Sequence, residues 1–435
     1  MIVSLKPVAI ITDYFSKKHK LMGRTQLLIF IGVAILLLIA GSLIFGRKPA
    51  EPAPATLELW GIGDDAEVWD QIIRQFSSEK PYITVRYTRF DQDRFEETLI
   101  NRLAEGRGPD VFILPNTLAK KHKDKVYVLP QDFFGVRPRD FKEIFADISA
   151  EDLITFDNQI LGVPLFIDSL ALYYNKDQFN SAGIAVLPRT WDELAEAAKK
   201  ITKRNAAGDI IRSAIALGSF QNIEHAYEIV VGMFIQRNEI EDQGLAREAE
   251  ETLRFYASFS EQGGKNFTWT PRLRHSINSF AEEASAMMVG FSEDLQRIKA
   301  RNAHISVGIA PLPQFADTKD AAYGRYFFAS VSRATKSPQA AWELLLFLAS
   351  KEGAKKYSEL TGRPPARRDL ISEGTPNSGF EVFWKQALIA KSWSSPDENG
   401  TRKLMQSAVE GVVSRAKTPS EAIQEFNEQF ELLGL

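Results

Sequence analysis

The chain contains no cysteine in its 435 residues. That excludes disulfides, thiolate zinc sites, a cysteine nucleophile and a lipid-modified N-terminal cysteine, though it does not by itself fix the compartment. Histidine is also scarce. His19, His122, His225, His275 and His304 are scattered and lack the spacing of metal ligands. There is no GxSxG element and no phosphate-binding loop. Net charge is only −3, so no basic footprint for nucleic acid is present. No catalytic constellation, resident metal or cofactor is therefore expected. Carboxylates are abundant, and a glycosidase acid pair stays open, because such pairs are set by space rather than by spacing.

Aromatic residues are plentiful, with 29 Phe, 11 Tyr and 7 Trp, and the length suffices for two or three domain-sized units. One long apolar run stands out. Leu27 to Phe45 carries no charge, and at about 1.5 Å per residue it would span roughly 28 Å, close to the hydrocarbon thickness of a bilayer. Lys17, Lys18, Lys20 and Arg24 precede it, while Arg47 and Lys48 come after it. This excess predicts a cytoplasmic tail over 1–26, a transmembrane anchor over 27–45 and the remainder outside the cell or in the periplasm. A cleaved signal peptide is the rival reading. Ala53-Pro54-Ala55 has the small-residue pattern but lies far beyond a run already too long. Residues 46–55 read as a stiff Pro-rich linker.

The stretch from Gly162 to Asn180 organises the rest of the chain. Leu165-Phe166-Ile167 and Leu170 to Tyr174 are short apolar runs of strand type. Only Asp168 and Ser169 separate them, too few for a helical crossover. A hairpin tip fits, and so does a strand passing between two lobes with Asp168 at the floor of a cleft. An acid set among apolar residues must be paired, solvated or bound to something.

Upstream, Leu57 to Trp60, Tyr82 to Tyr87 and Val111 to Leu114 read as strands alternating with two amphipathic helices, implying a parallel sheet. Gly61-Ile-Gly63-Asp-Asp-Ala66 matches GxGxxA at a strand-to-helix turn. Two aspartates there would oppose a pyrophosphate. They suit hydroxyl groups, or simply cap the helix. Downstream, Thr190-Trp-Asp-Glu193 and Thr418-Pro-Ser-Glu421 are capping boxes. Pro338 stands at a first helical position. Trp60, Asn116, Asp168, Phe220, Phe291 and Tyr326 sit at strand ends, where open sheets bind ligands. Each aromatic taken singly is a core candidate as much as a ligand contact.

Taken in order, ELWG, GRGPDVFILPN (106–116), GVPLFIDSLALYYNKDQFNSAGI (162–184), PRTWDELAEAAKKIT (188–202), AMMVGF (286–291), GIAPLP (308–313) and SPQAAWELLLFLASKEGAKKYSELTGRPPAR (337–367) resemble the extracellular solute-binding proteins, family 1, of ABC importers, the group similar to maltose-binding protein. The resemblance covers most of 56–435. It implies an α/β, two-lobed periplasmic-binding-protein fold of type II-like form with hinge-crossing strands, here preceded by one N-terminal transmembrane helix. It places one lobe at 56–166 and 312–361, and the other at 167–311 and 362–435. It further implies an acidic ligand residue at Asp168 beside the first hinge, and ligand loops at Asp64 and Asp65, at Asn116, and at Phe220 and Gln221. A stacking aromatic falls near Phe291, and Trp393 is a further candidate. Tyr323-Gly-Arg-Tyr326 departs from the family's glycine-rich segment, and Arg325 would favour an anionic ligand. The implied function is a membrane-anchored protein that passes a small-molecule solute, foremost an oligosaccharide, to ABC permease subunits, without enzymatic activity. A ligand-sensor module for a partner receptor and a surface glycosidase are the alternatives.

Overall fold

The computed structural model describes residues 53–130, 136–375 and 379–434, together with Val33. The expected tail, the anchor 27–45 apart from Val33, and most of the linker 46–55 lie outside the described residues. Val33 is helical and exposed. Among the described residues no helix is long and apolar enough to cross a membrane. The chain divides into Met1–Pro54 and Ala55–Leu435, and the second unit carries the sheets and helices of the fold.

Its strands in chain order are β1 (Ala55–Ile62), β2 (Ile83–Phe90), β3 (Val111–Pro115), β4 (Val163–Pro164), β5 (Asp168–Ser169), β6 (Ala171–Asn175), β7 (Lys203–Arg204), β8 (Ile210–Ile215), β9 (Ile240–Glu241), β10 (Gly244–Leu245), β11 (Ser285–Gly290), β12 (Val307–Ala310), β13 (Ala322–Arg325), β14 (Phe327–Val331) and β15 (Ala390–Lys391).

The first lobe is built on the sheet β2-β1-β3-β14-β4. β1 is parallel to β2 and β3, whereas β14 runs antiparallel to β3 and β4. Leu57 and Leu59 alternate into the core along β1. The helix Ala66–Glu79 turns Trp69, Ile72 and Phe76 onto this lobe's core, a stripe at three- and four-residue spacing. Gly63 opens that helix with φ 87°, and an added Cβ would lie 2.9 Å from Phe327. Only glycine meets both demands.

The second lobe is built on β12-β6-β11-β8-β7. β6 lies antiparallel between β11 and β12. Both capping boxes form: the Thr190 hydroxyl accepts from the Glu193 N–H at 3.2 Å, as Thr418 does from Glu421 at 3.2 Å. Asp65 stands at the N-cap of its helix without bonding it, since its carboxylate pairs with Arg89 instead.

A small sheet, β15-β13-β5, joins the lobes. Arg325 of β13 faces Asp168 of β5, and Tyr323 faces Lys391 of β15. Among the described residues, three lobe changes run through this small sheet. Ile167 is in the first core and Leu170 in the second; Tyr323 is in the second and Tyr326 in the first; Ala390 is in the first and Trp393 in the second. Boundaries at 312 and 362 are therefore displaced. Leu312 packs in the second core, and Ala366, Ile371 and Ala387 in the first. The apolar runs around these positions continue through the lobe change, so burial alone does not mark it. Leu165–Ile167 is not a ladder strand either: Phe166 makes a single bridge to Pro365.

Candidate functional site

The site grows from Asp168. The crossing strand β5 carries its carboxylate into the lobe junction, where it is only 1% exposed. The Ser169 N–H donates to Oδ1 at 3.0 Å. From the second lobe, the Ser292 N–H lies 3.1 Å and its hydroxyl 2.8 Å from Oδ2. Arg325 approaches to 4.0 Å. Burial pushes this carboxyl up to about 6, against the pull of Arg325 and of the Ser292 bonds.

A relay of charge continues across the junction. Arg325 pairs with Glu293 at 2.7 Å and lays its guanidinium over the Phe291 ring at 3.8 Å. The other oxygen of Glu293 lies 3.7 Å from Arg363 of the first lobe. Arg363 pairs with Asp64 at 3.0 Å and covers the Phe166 ring at 4.4 Å. The Tyr357 hydroxyl donates to Asp64 at 2.5 Å. Burial raises the Asp64 carboxyl above the usual range despite Arg363. Glu293 is also penalised by its surroundings, yet the two guanidiniums hold it below that range. Three carboxylates thus face two guanidiniums, each cation stacked on an aromatic face.

The expected residues divide into several places. Asp64 and Asp168 are brought together by this relay, and Phe291 lies beneath it. Phe291 is fully buried, with His225 against its edge at 4.8 Å and Arg325 on its face. It supports the site rather than offering it a free ring. Asp65 is exposed and engaged with Arg89. Trp60 is half-buried beside Phe90, Phe220 half-buried on the second core, and Gln221 exposed on the same loop. Asn116 and Tyr326 form a separate cluster around Asp152. Trp393 stacks on Phe430 at 5.4 Å within the second core.

Sequence reasoning missed Glu293, Arg363 and Asp152. The break of pattern at Arg363-Pro-Pro and the acidic pair after Gly290-Phe-Ser were the available signals. Neither specifies a partner, since the partners lie far away in sequence.

A separate cavity of about 490 Å³ is lined by Ile62, Leu114 and Thr117 together with Ser395, Glu398 and Arg402. Arg402 pairs with Glu228 at 2.6 Å and covers Tyr227 at 4.4 Å. Glu224, His225 and Asp294 approach one another closely enough to hold a metal. Arg297 already supplies the cation there, at 2.7 Å from Glu224 and 2.9 Å from Asp294.

Two α/β lobes, three crossings and a charged junction define a hinged binding protein, a class that closes on what it holds. The chain matches the family "Bacterial extracellular solute-binding protein" over residues 62–355, and it belongs to that family. It is similar to a putative binding protein of Brucella abortus, 24% identical over 307 residues, covering 69% of this chain and 73% of that one. A maltooligosaccharide ABC transporter solute-binding lipoprotein of Streptococcus pneumoniae is 26% identical over 235 residues, covering 52% of this chain and 54% of that protein. The sn-glycerol-3-phosphate-binding periplasmic protein UgpB of Escherichia coli is 26% identical over 288 residues, covering 61% and 65%. Among solved structures, the sugar-binding protein MalE of Xanthomonas citri superposes with TM-score 0.73 at 20% identity, over 87% of this chain and 97% of that one. The cyclic α-maltosyl-1,6-maltose binding protein of Arthrobacter globiformis gives 0.74 at 16% identity, over 88% and 99%. At such identities the likeness speaks for the fold.

Proposed function

We propose that the chain is the solute-capturing component of an ABC importer, held at the cell membrane by the segment 27–45 with its lobes outside, and that its solute is a neutral oligosaccharide delivered to permease subunits. The observation that carries this reading is the junction relay of Asp64, Arg363, Glu293, Arg325 and Asp168. Carboxylates accept hydrogen bonds from sugar hydroxyls and guanidiniums donate to their oxygens. Both arginines are already paired with acids. An entering phosphate would meet more negative than positive charge, despite the cationic Arg325. A solute touching both lobes favours the closed state by its differential affinity. Asp64 and Glu293 share Arg363, and Asp168 is held by Ser292, which supports binding over glycosidase chemistry.

The test is calorimetry of the full chain with maltooligosaccharides and with sn-glycerol-3-phosphate. Heat with the neutral sugars and none with the phosphate is expected. Binding of the phosphate alone would overturn the carbohydrate reading. For the tether, alkaline carbonate extraction of membranes should leave the chain in the pellet, and release into the supernatant would refute the anchor.

A further inference from the structure

The helix Asp147–Leu153 of the first lobe ends under two of the three lobe crossings. A single oxygen of Asp152, Oδ2, accepts three hydrogen bonds there. Asn116 Nδ2, at the end of β3, donates at 3.2 Å. The Tyr326 hydroxyl, from the second crossing, donates at 3.1 Å. The Ser392 hydroxyl, from the third crossing, donates at 2.9 Å. Asn116 is consumed by this network, because its Oδ1 accepts the Tyr326 N–H at 3.2 Å while its own N–H bonds the Tyr326 carbonyl at 2.9 Å. Next to it, Lys391 of β15 pairs with Glu151 at 2.6 Å.

Packing agrees with the hydrogen bonds. A Cβ on Gly324 of β13 would lie 3.0 Å from Ile148 Cδ1 and 2.6 Å from Ala390 Cβ. The second and third crossings therefore bear on this helix and on each other with no space to spare. Beyond Asp152 and Ser392 the lobes part around a cavity of about 630 Å³, with Lys120 and Lys121 on one bank and Glu241 and Asp242 on the other. A tight bearing beside an open gap is what rotation of one lobe against the other requires.

We propose that Asp152 is the pivot of the hinge, a positioning residue whose carboxylate fixes the second and third crossings to the first lobe and thereby sets the angle between the lobes. Breaking it removes one side-chain tie from each of these two crossings at once, leaving the bonds of Asn116 to the Tyr326 backbone and the pairing of β5 and β15 with β13. The lobes would then sample a wider range of angles without either core being touched.

The test needs no solute, so it is independent of which solute the cleft holds. The chain has no native cysteine, so Asp70→Cys and Asp192→Cys place one spin label on an exposed helix position of each lobe. Pulsed dipolar spectroscopy on the otherwise unaltered full chain reads the distance between lobes. A narrow distribution is expected for the parent and a broadened, shifted one for Asp152→Ala. Ser392→Ala and Tyr326→Phe should each give part of that broadening, and Glu151→Gln, which loses only an exposed ion pair, none. An unchanged distribution in Asp152→Ala overturns the proposal, even where its melting temperature falls. Should that variant fail to fold, the Ser392→Ala, Tyr326→Phe double variant decides by the same readout.

Discussion

Asp168 lends itself to a measurement that separates its burial from everything around it. The carboxyl has an ordinary value of 3.8, and burial in the junction raises it to about 6 in the folded protein. The folded chain therefore binds this proton more tightly than the unfolded chain does. Between the two values the folded state carries more protons, so stability falls as pH rises through that window. The magnitude is 2.303RT times the difference, about 3 kcal/mol, complete by about pH 7. Other acids of the cleft titrate as well, which is why the quantity to measure is a difference. Asp168→Asn retains the shape and cannot ionise. Urea unfolding of parent and variant, run from about pH 4 to about pH 7.5, should show the parent losing about 3 kcal/mol relative to the variant as pH rises. A difference that stays flat across this range would refute the claim that the buried carboxylate is held against its own desolvation.

Arg363→Ala leaves Asp64 buried without its cation, and should cost about 3 kcal/mol in urea unfolding; a loss near zero would mean that Tyr357 alone satisfies the acid. Gly63→Ala should cost about 1–2 kcal/mol, since an L residue at that positive φ is strained and its Cβ meets the Phe327 ring. Thermal melts of Thr418→Ala should report a loss of about 1 kcal/mol from the capping box, whereas Thr418→Ser should restore most of it.

The features legible in the sequence are local. The capping boxes at Thr190 and Thr418, the stripe Trp69, Ile72, Phe76 and the first strands of the first lobe depend on neighbours a few residues apart, and they form where expected. The place of Asp168 between two apolar runs is also legible, but those residues fit a hairpin tip equally well, and only the family resemblance favours a lobe crossing. The partners of Asp168 are not legible. Ser292 lies 124 residues away and Tyr357 lies 293 residues from Asp64. The aromatics show the limit most clearly. Aromatic rings at strand ends suit sugars, which is the case for Phe291 and Trp393 as ligand contacts, yet one is roofed by Arg325 and the other by Phe430. Ring exposure is decided by what packs on the ring, and a strand-end position does not encode that.

The two polar clusters at the junction differ in a way that bears on how the lobes work. Around Asp64 and Asp168 the groups are charged, and Glu293 of the relay keeps 41% of its side chain exposed. The exposed Glu293 contacts are the weak ones in water, whereas Asp64 and Asp168, 7% and 1% exposed, are held more firmly. Around Asp152 the donors are neutral and each from a different chain segment, and the backbone of Gly324 beside them admits no added carbon. Those bonds cannot be exchanged for a ligand without moving the crossings themselves. On the proposed function, a solute would exchange with the exposed Glu293 contacts while the Asp152 network keeps the crossings in register.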